Sequence, residues 1–157
     1  EKISFAYSDK TDFSQKKTNT THFDCEAFIV TKDSIYLFTK KWKSSKTSIY
    51  SLPNKSGNHV AKLKETLDTK GLVTGTTYLE SKKLIALCGY STKGKPFIYL
   101  LYDFKNHDFL SGNKRRINLK LLNIPLPTSY LVLPTSYLQL RTSNLVPSNF
   151  SDLCCFS

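Results

Sequence analysis

The feature that most constrains this chain is an internal repeat, because two neighbouring segments follow the same order of short apolar stretches and polar turns. Residues 24–68 and residues 69–119 superpose at an offset of 49 residues. The apolar positions that coincide are Ile35 with Leu84, Leu37 with Ala86, Phe38 with Leu87, Ile49 with Ile98 and Tyr50 with Tyr99. A period of about 40–50 residues with four short strands per unit is typical of β-propeller blades.

Apolar stretches bounded by turn signals predict four strands in each unit. In the first unit they are Ala27–Thr31, Ile35–Thr39, Thr47–Leu52 and His59–Leu67, with a short helix as an alternative over Lys62–Leu67. In the second unit they are Leu72–Leu79, Leu84–Cys88, Pro96–Phe104 and Phe109–Leu119. The abundance of Tyr and Phe also favours strands over helices.

We therefore predict an all-β fold, a partial β-propeller of two four-stranded antiparallel blades plus a flanking strand. Residues 1–23 are assigned to the end of a preceding blade and a polar loop, with the flanking strand at Ile3–Tyr7. One blade buries its two faces only by stacking on neighbours, and a closed ring takes about four to eight blades. We expect a fragment of a larger propeller, whose remaining blades are its partners.

Residues 120–157 have a different composition, with four of the six Pro residues and no Gly. The segment Leu126–Leu131 recurs word for word at Leu133–Leu138. The Pro residues oppose a regular helix or a central strand. This segment is predicted to be an irregular low-complexity tail, produced by a shifted reading frame or, alternatively, a genuine apolar linker or partner-binding tail.

The formal net charge of +11 raises the question of an anionic partner. The Lys residues are dispersed beside turns, and only Lys114–Arg116 forms a run of three basic residues. This pattern favours a solvated basic surface over nucleic-acid binding, with an anionic polymer as the weaker alternative. No stretch approaches the roughly 20 apolar residues of a membrane span.

The four Cys residues lack the spacing of a zinc site or a redox motif. Cys25 and Cys88 each lie beside a predicted strand, which favours buried free thiols over a disulfide. Cysteine usage therefore leaves the cellular compartment open.

The candidate site begins at Asp24 and Glu26, two carboxylates at the start of a strand. Period-two alternation points both side chains the same way. They could hold a divalent cation such as Ca²⁺, act as acid and base, or tie down the blade by accepting backbone N–H groups and pairing with Lys. The repeat offset places Val73 and Gly75 at these positions in the second unit.

Lys40, Trp42 and Tyr90 complete the candidate ligand-binding set. Trp42 is the only Trp and follows the second strand, where it suits a cation–π contact, carbohydrate stacking or an aromatic lid. Tyr90 occupies the corresponding loop of the second unit. No nucleophile has an evident base partner in the sequence, so we assign no catalytic residue.

Several motifs resemble a known family. They are Phe5–Asp9, Asn19–Phe28, Ile35–Trp42, Thr47–Pro53, Gly71–Gly75 and Leu87–Ser91. Together they resemble the blades of secreted β-propeller proteins from the Bacteroidetes bacteria, many of which are associated with type IX secretion. The resemblance covers about residues 3–119, implies an extracellular or cell-surface setting, and brings no established catalytic set.

The expected function is an extracellular or cell-surface propeller module that binds a ligand or partner and does not itself catalyse a reaction. The alternative is a fragment of a propeller hydrolase or lyase whose channel site includes Asp24 and Glu26.

Overall fold

The computed structural model describes residues 2–11 and 20–119, and this part of the chain is all-β. It contains nine strands, one 3₁₀ turn at Glu80–Lys82 and no α-helix. The strands are β1 (Ile3–Tyr7), β2 (Asp24–Val30), β3 (Ser34–Lys41), β4 (Lys46–Pro53), β5 (Gly57–Leu67), β6 (Leu72–Leu79), β7 (Leu84–Tyr90), β8 (Pro96–Tyr102) and β9 (Asn113–Asn118). The all-β prediction is confirmed, and the predicted tail over 120–157 lies outside the described residues.

The strands form two sheets. The first sheet has the order β1-β5-β4-β3-β2, in which β2 to β5 are an antiparallel meander and β1 joins the outer edge parallel to β5. The second sheet has the order β6-β7-β8-β9 and is antiparallel throughout. The two sequence units therefore share one strand order, with β1 added at the outer edge of the first.

A β-bulge marks the same place in both units. In the first hairpin the register shifts between Cys25 and Ala27, and in the second it shifts between Val73 and Gly75. The extra residues are therefore Glu26 and Thr74, and they correspond to each other. This corrects the sequence superposition, which placed Gly75 opposite Glu26. The bulged residues 26 and 74 are 48 positions apart, whereas residues 38 and 88 on the next strands are 50 apart, so a constant offset of 49 fits neither strand.

The main core lies between the two sheets, where the front face of the first sheet meets the back face of the second. The front face of the first sheet turns toward the second sheet with Ala27, Ile29, Tyr36, Phe38 and Ile49. The back face of the second sheet meets it with Val73, Ile85, Leu87, Phe97 and Leu101. All ten of these residues are buried, so the sheets stack front to back.

The back face of the first sheet forms a second, smaller core. Its buried residues are Cys25, Ile35, Leu37, Tyr50, Leu52 and Ala61. Aromatic side chains cover it, with the ring of Tyr7 centred 4.7 Å from that of Tyr50 and 5.1 Å from that of Phe23. The Tyr50 hydroxyl donates to Asp9 Oδ2 at 3.1 Å, which ties the segment after β1 to this face.

The chain between the sheets is fastened from both sides. Ser45 O accepts from Gly71 N at 3.0 Å and from the Thr69 hydroxyl at 3.2 Å. Arg116 Nε donates to Thr69 O at 3.1 Å, and its guanidinium carbon lies 4.3 Å from the Phe97 ring centre. These bonds join the turn after β3, the linker and β9.

Three sequence predictions need correction. The alternative helix over Lys62–Leu67 is wrong, because this segment is the second half of β5 and pairs with β4. The third strand of the second unit ends at Tyr102 rather than at 104, since Asp103 has a positive φ of 58° that an extended strand does not permit. The last strand starts at Asn113, and the preceding Phe109 is buried in a turn.

Within residues 2–11 and 20–119 neither Cys25 nor Cys88 forms a disulfide; Cys25 is buried and Cys88 is partly exposed. Within the described residues, no helix is long and apolar enough to cross a bilayer.

Candidate ligand-binding cluster at the seam of the two sheets

The five predicted binding residues come together at one end of the stack. Asp24 begins β2 and pairs in register with Lys40 near the end of β3. In the second unit Leu72 and Tyr90 form the equivalent pair at the start of β6 and the end of β7. Lys40 and Tyr90 therefore hold equivalent places in neighbouring units, and Trp42 follows in the turn after β3.

Asp24 holds Trp42 in place. The indole Nε1 donates to Asp24 Oδ2 at 2.9 Å, and the bond is partly buried. The turn that carries Trp42 is closed by Ser45 N, which donates to Lys41 O at 2.9 Å, and Ser45 takes a positive φ of 56°. The ring is thus fixed by its own turn and by the start of β2.

Lys40 is the centre of the cluster. Its side chain is 3% exposed, and its ammonium forms an ion pair with Glu26, whose side chain is 45% exposed. The ammonium also lies 5.3 Å from the ring centre of Trp42 and 5.8 Å from that of Tyr90. A buried ammonium is costly unless it is paired, and here a carboxylate and two ring faces offset that cost.

The bulge explains how Glu26 reaches Lys40. The prediction placed Asp24 and Glu26 on one side by simple alternation, but Glu26 is the extra residue of the bulge, where alternation is interrupted. Bulges commonly re-aim a side chain next to a functional site. Both carboxylates still join the cluster, Asp24 through Trp42 and Glu26 through Lys40.

The electrostatics of the cluster disfavour an anion. It contains two carboxylates and one ammonium, and the ammonium already has a carboxylate partner. Across residues 2–11 and 20–119, no group of three or more His, Cys, Asp and Glu side chains is placed to hold a metal ion. Ca²⁺ binding by Asp24 and Glu26 stays a prediction, and it would have to compete with the Lys40 ammonium for Glu26.

Thr47 is a neighbour of the cluster that the sequence did not single out. It pairs in register with Lys40, so both side chains lie on the front face. Thr47 is fully buried, and its hydroxyl has no hydrogen-bond partner within the described part of the chain. The sequence gives no signal for this position, because Thr is an ordinary residue of strands.

A second group of polar and aromatic residues lies at the far side of the main core. The His107 ring stacks on Tyr36, with centroids 5.5 Å apart and an interplanar angle of 28°. These rings line a shallow cavity together with Lys64, Glu65 and Asp108. Burial raises the pKa of the Tyr36 phenol above its ordinary value. His107 thus covers the Tyr36 ring.

Comparisons with known proteins return no relative: no family model, no curated protein and no solved structure matches this chain. The site must therefore be judged from its own geometry. The similarity to secreted Bacteroidetes propellers stays a prediction.

Proposed function

We propose that this chain contributes two adjacent blades of a β-propeller and serves as a non-catalytic binding module at the cell surface or outside the cell. The observation that carries the binding role is the convergence of Trp42, Tyr90 and the exposed Glu26 carboxylate around a buried Lys40. Three elements from two sequence units build this cluster, so stacking of the units creates it.

The arrangement of the sheets supports the propeller architecture. Each unit is a four-stranded meander, and the first strands of the two units, β2 and β6, form the most extensive strand contact between the sheets. In a propeller the first strand of each blade lines the central channel, and successive blades stack in one sense. On this proposal the cluster lies at one mouth of the channel.

The chemistry of the cluster suits a neutral polyhydroxylated ligand. Trp42 and Tyr90 are both partly exposed, and aromatic faces pack against the apolar side of a sugar ring while polar groups fix its orientation. The Glu26 carboxylate accepts hydrogen bonds from hydroxyl groups, and charged acceptors make the stronger bonds. We therefore propose an oligosaccharide as the ligand class.

Trp42 provides a direct test because it is the only Trp in the chain. The full chain is titrated with a panel of neutral hexasaccharides and, separately, with CaCl₂, while Trp fluorescence is followed. We expect a saturable change with at least one saccharide. The absence of a response to every saccharide contradicts the ligand class, and a response to CaCl₂ that Asp24→Asn removes supports a cation site instead.

Variants then assign the binding to the cluster. Glu26→Gln and Tyr90→Ala should each weaken saccharide binding about tenfold, the equivalent of roughly 1.4 kcal/mol. Glu80→Gln is the matched control, because Glu80 is an exposed carboxylate in the 3₁₀ turn after β6. Calorimetric titration measures all three variants, and equal affinities for Glu26→Gln and Glu80→Gln would count against the proposed contact.

The hydrolase or lyase alternative receives less support from this geometry. A catalytic carboxylate pair acts on a bound substrate, whereas Asp24 accepts from the Trp42 indole and Glu26 pairs with Lys40. Both carboxylates thus have protein partners that hold the cluster together. Binding without catalysis is the simpler use of this arrangement.

A further inference from the structure

We infer that the front face of the second sheet is the docking surface for a further four-stranded sheet, the next repeat of this series. The inference rests on the proposed stacking of blades, and it identifies the surface and the kind of partner. It starts from the structural equivalence of the two front faces, which the shared bulge sets in register.

The equivalent positions have opposite surroundings in the two sheets. The pair Phe38 and Ile49 in the first sheet corresponds to the pair Cys88 and Ile98 in the second. Phe38 and Ile49 are 0% and 1% exposed against the second sheet, whereas Cys88 and Ile98 are partly exposed. The front face is therefore buried in the first sheet and partly exposed in the second.

The open face has the composition of a buried surface. Its apolar residues are Leu79, Leu84, Ala86, Cys88, Ile98, Leu100, Tyr102 and Ile117, all of them at least partly exposed, and the polar Thr77 and Asn113 lie among them. Arg115 on the edge strand β9 is the charged residue among the register partners of these positions. A contiguous apolar patch of this kind marks an interaction surface, and a sheet buries such a face against another layer.

Side-chain size varies across the open face. Ala86 and Cys88 stand where the first sheet has the larger Tyr36 and Phe38, whereas Leu100 stands where the first sheet has Ser51. A partner sheet must therefore fill the space over Ala86 and Cys88 with large side chains to reach native packing density. The back face of the second sheet already presents such a surface to the first sheet, with Phe97 at its centre, and a further repeat would present the same kind of face.

A second copy of this chain fits this surface less well. In such a copy, Tyr7 and Phe23 pack on Tyr50 and already cover the back face of the first sheet. A second copy would therefore have to meet this surface front to front, whereas the two sheets of this chain stack front to back. The favoured partner is therefore a sheet with an uncovered back face.

The Cys88 thiol reports directly on coverage of this face, since Cys25 is buried. The experiment uses the full chain with Cys154→Ser and Cys155→Ser and measures the rate of thiol labelling by a disulfide reagent. It compares this chain with an extended chain in which a second copy of residues 68–119, carrying Cys88→Ser, follows Leu119. We expect the extension to slow labelling of the original Cys88 about tenfold or more, because labelling then requires local opening.

A matched control separates docking from simple extension. The same extension with Ile85→Lys and Leu87→Lys in the added copy has a charged back face and should leave the labelling rate of Cys88 unchanged. Urea unfolding gives a second measurement: Ile98→Lys should lower the unfolding midpoint of the extended chain more than that of the original chain.

Three outcomes would overturn the inference. They are equal labelling rates with and without the extension, faster labelling when the original chain is truncated after Leu119, and labelling that slows as concentration rises. The second outcome would identify the tail as the cover, and the third a second copy of the chain. None of these outcomes depends on saccharide binding at Trp42, so the failure of either proposal is distinguishable from that of the other.

Discussion

The two sheets share a strand order and a bulge, yet they differ in how many of their faces are covered. The first sheet packs its front face on the second sheet and its back face beneath Tyr7 and Phe23. The second sheet has one covered face and one open face. The difference shows that the fold of a unit is set by its own turns and hairpins, whereas the burial of its faces is set by what lies next to it.

The seam residues show the same contrast in chemistry. Asp24, Glu26 and Lys40 in the first unit correspond to Leu72, Thr74 and Tyr90 in the second. One backbone arrangement thus carries charges in one unit and none in the other. The cluster is therefore a property of the first unit that the second completes with a single ring.

The largest expected effect comes from truncating equivalent side chains on the two front faces. Phe38→Ala removes a fully buried ring from the main core and should lower the free energy of unfolding by about 3–5 kcal/mol. Cys88→Ala, at the equivalent position, should cost less than about 1 kcal/mol, since its site is partly exposed. Urea unfolding measures both, and similar losses for the two variants would contradict the different burial of the two faces.

The next effect concerns the buried ion pair. Glu26→Gln leaves the Lys40 ammonium buried without a carboxylate and should lower the unfolding free energy by about 1–2 kcal/mol, a value reduced by the partial exposure of Glu26. Lys40→Met removes the buried charge and should be nearly neutral or stabilising.

The order of these two variants is the informative result. If Lys40→Met destabilises the chain more than Glu26→Gln, the pair contributes more than its desolvation costs. The double variant completes the cycle and isolates the coupling between the two side chains.

These residues show how far the sequence could predict the molecule. The sequence predicted nine strands, four in each repeat unit and one flanking strand, because turn residues and apolar runs are local signals, and the described residues contain nine. Glu26 was predicted to follow simple alternation, but it is the extra residue of a bulge, and no local sequence signal predicts that bulge. The approach of Lys40 to Tyr90 depends on how two sheets stack, which a linear pattern does not contain.

Alkaline pH should weaken the covered back face of the first sheet. Burial raises the pKa of the Tyr50 phenol, and the charge of Asp9 and its hydrogen bond raise it further. Because the folded-state pKa lies above the unfolded value of about 10, Tyr50 stabilises the fold fully below pH 10, and this contribution is lost as pH rises toward the folded pKa. The urea midpoint should therefore fall from pH 9 to pH 11.

Two variants assign this loss to Tyr50. Tyr50→Phe should make the fall in midpoint shallower across the same pH range, and Asp9→Asn should do so to a smaller extent. An unchanged slope in Tyr50→Phe would mean that Tyr50 does not account for the alkaline loss.

The smallest effect tests a turn that the two units build differently. Ser45 in the turn after β3 has a positive φ of 56°, and Gly94 in the turn after β7 has a positive φ of 71°. Glycine adopts this region without the Cβ strain of other residues. Ser45→Gly should therefore raise the unfolding free energy by up to about 1 kcal/mol, and Gly94→Ser should lower it by a similar amount.

The surroundings of these turns leave backbone strain as the main difference between the two substitutions. A Cβ at Gly94 would meet no atom within 4 Å, so the substitution tests backbone strain alone. At Ser45 the bonds from Gly71 and Thr69 end on the backbone oxygen, which the variant retains. Urea unfolding with replicate midpoints resolves changes of this size. Opposite signs are expected, and destabilisation by Ser45→Gly would show that the Ser45 side chain contributes more than its strained backbone costs.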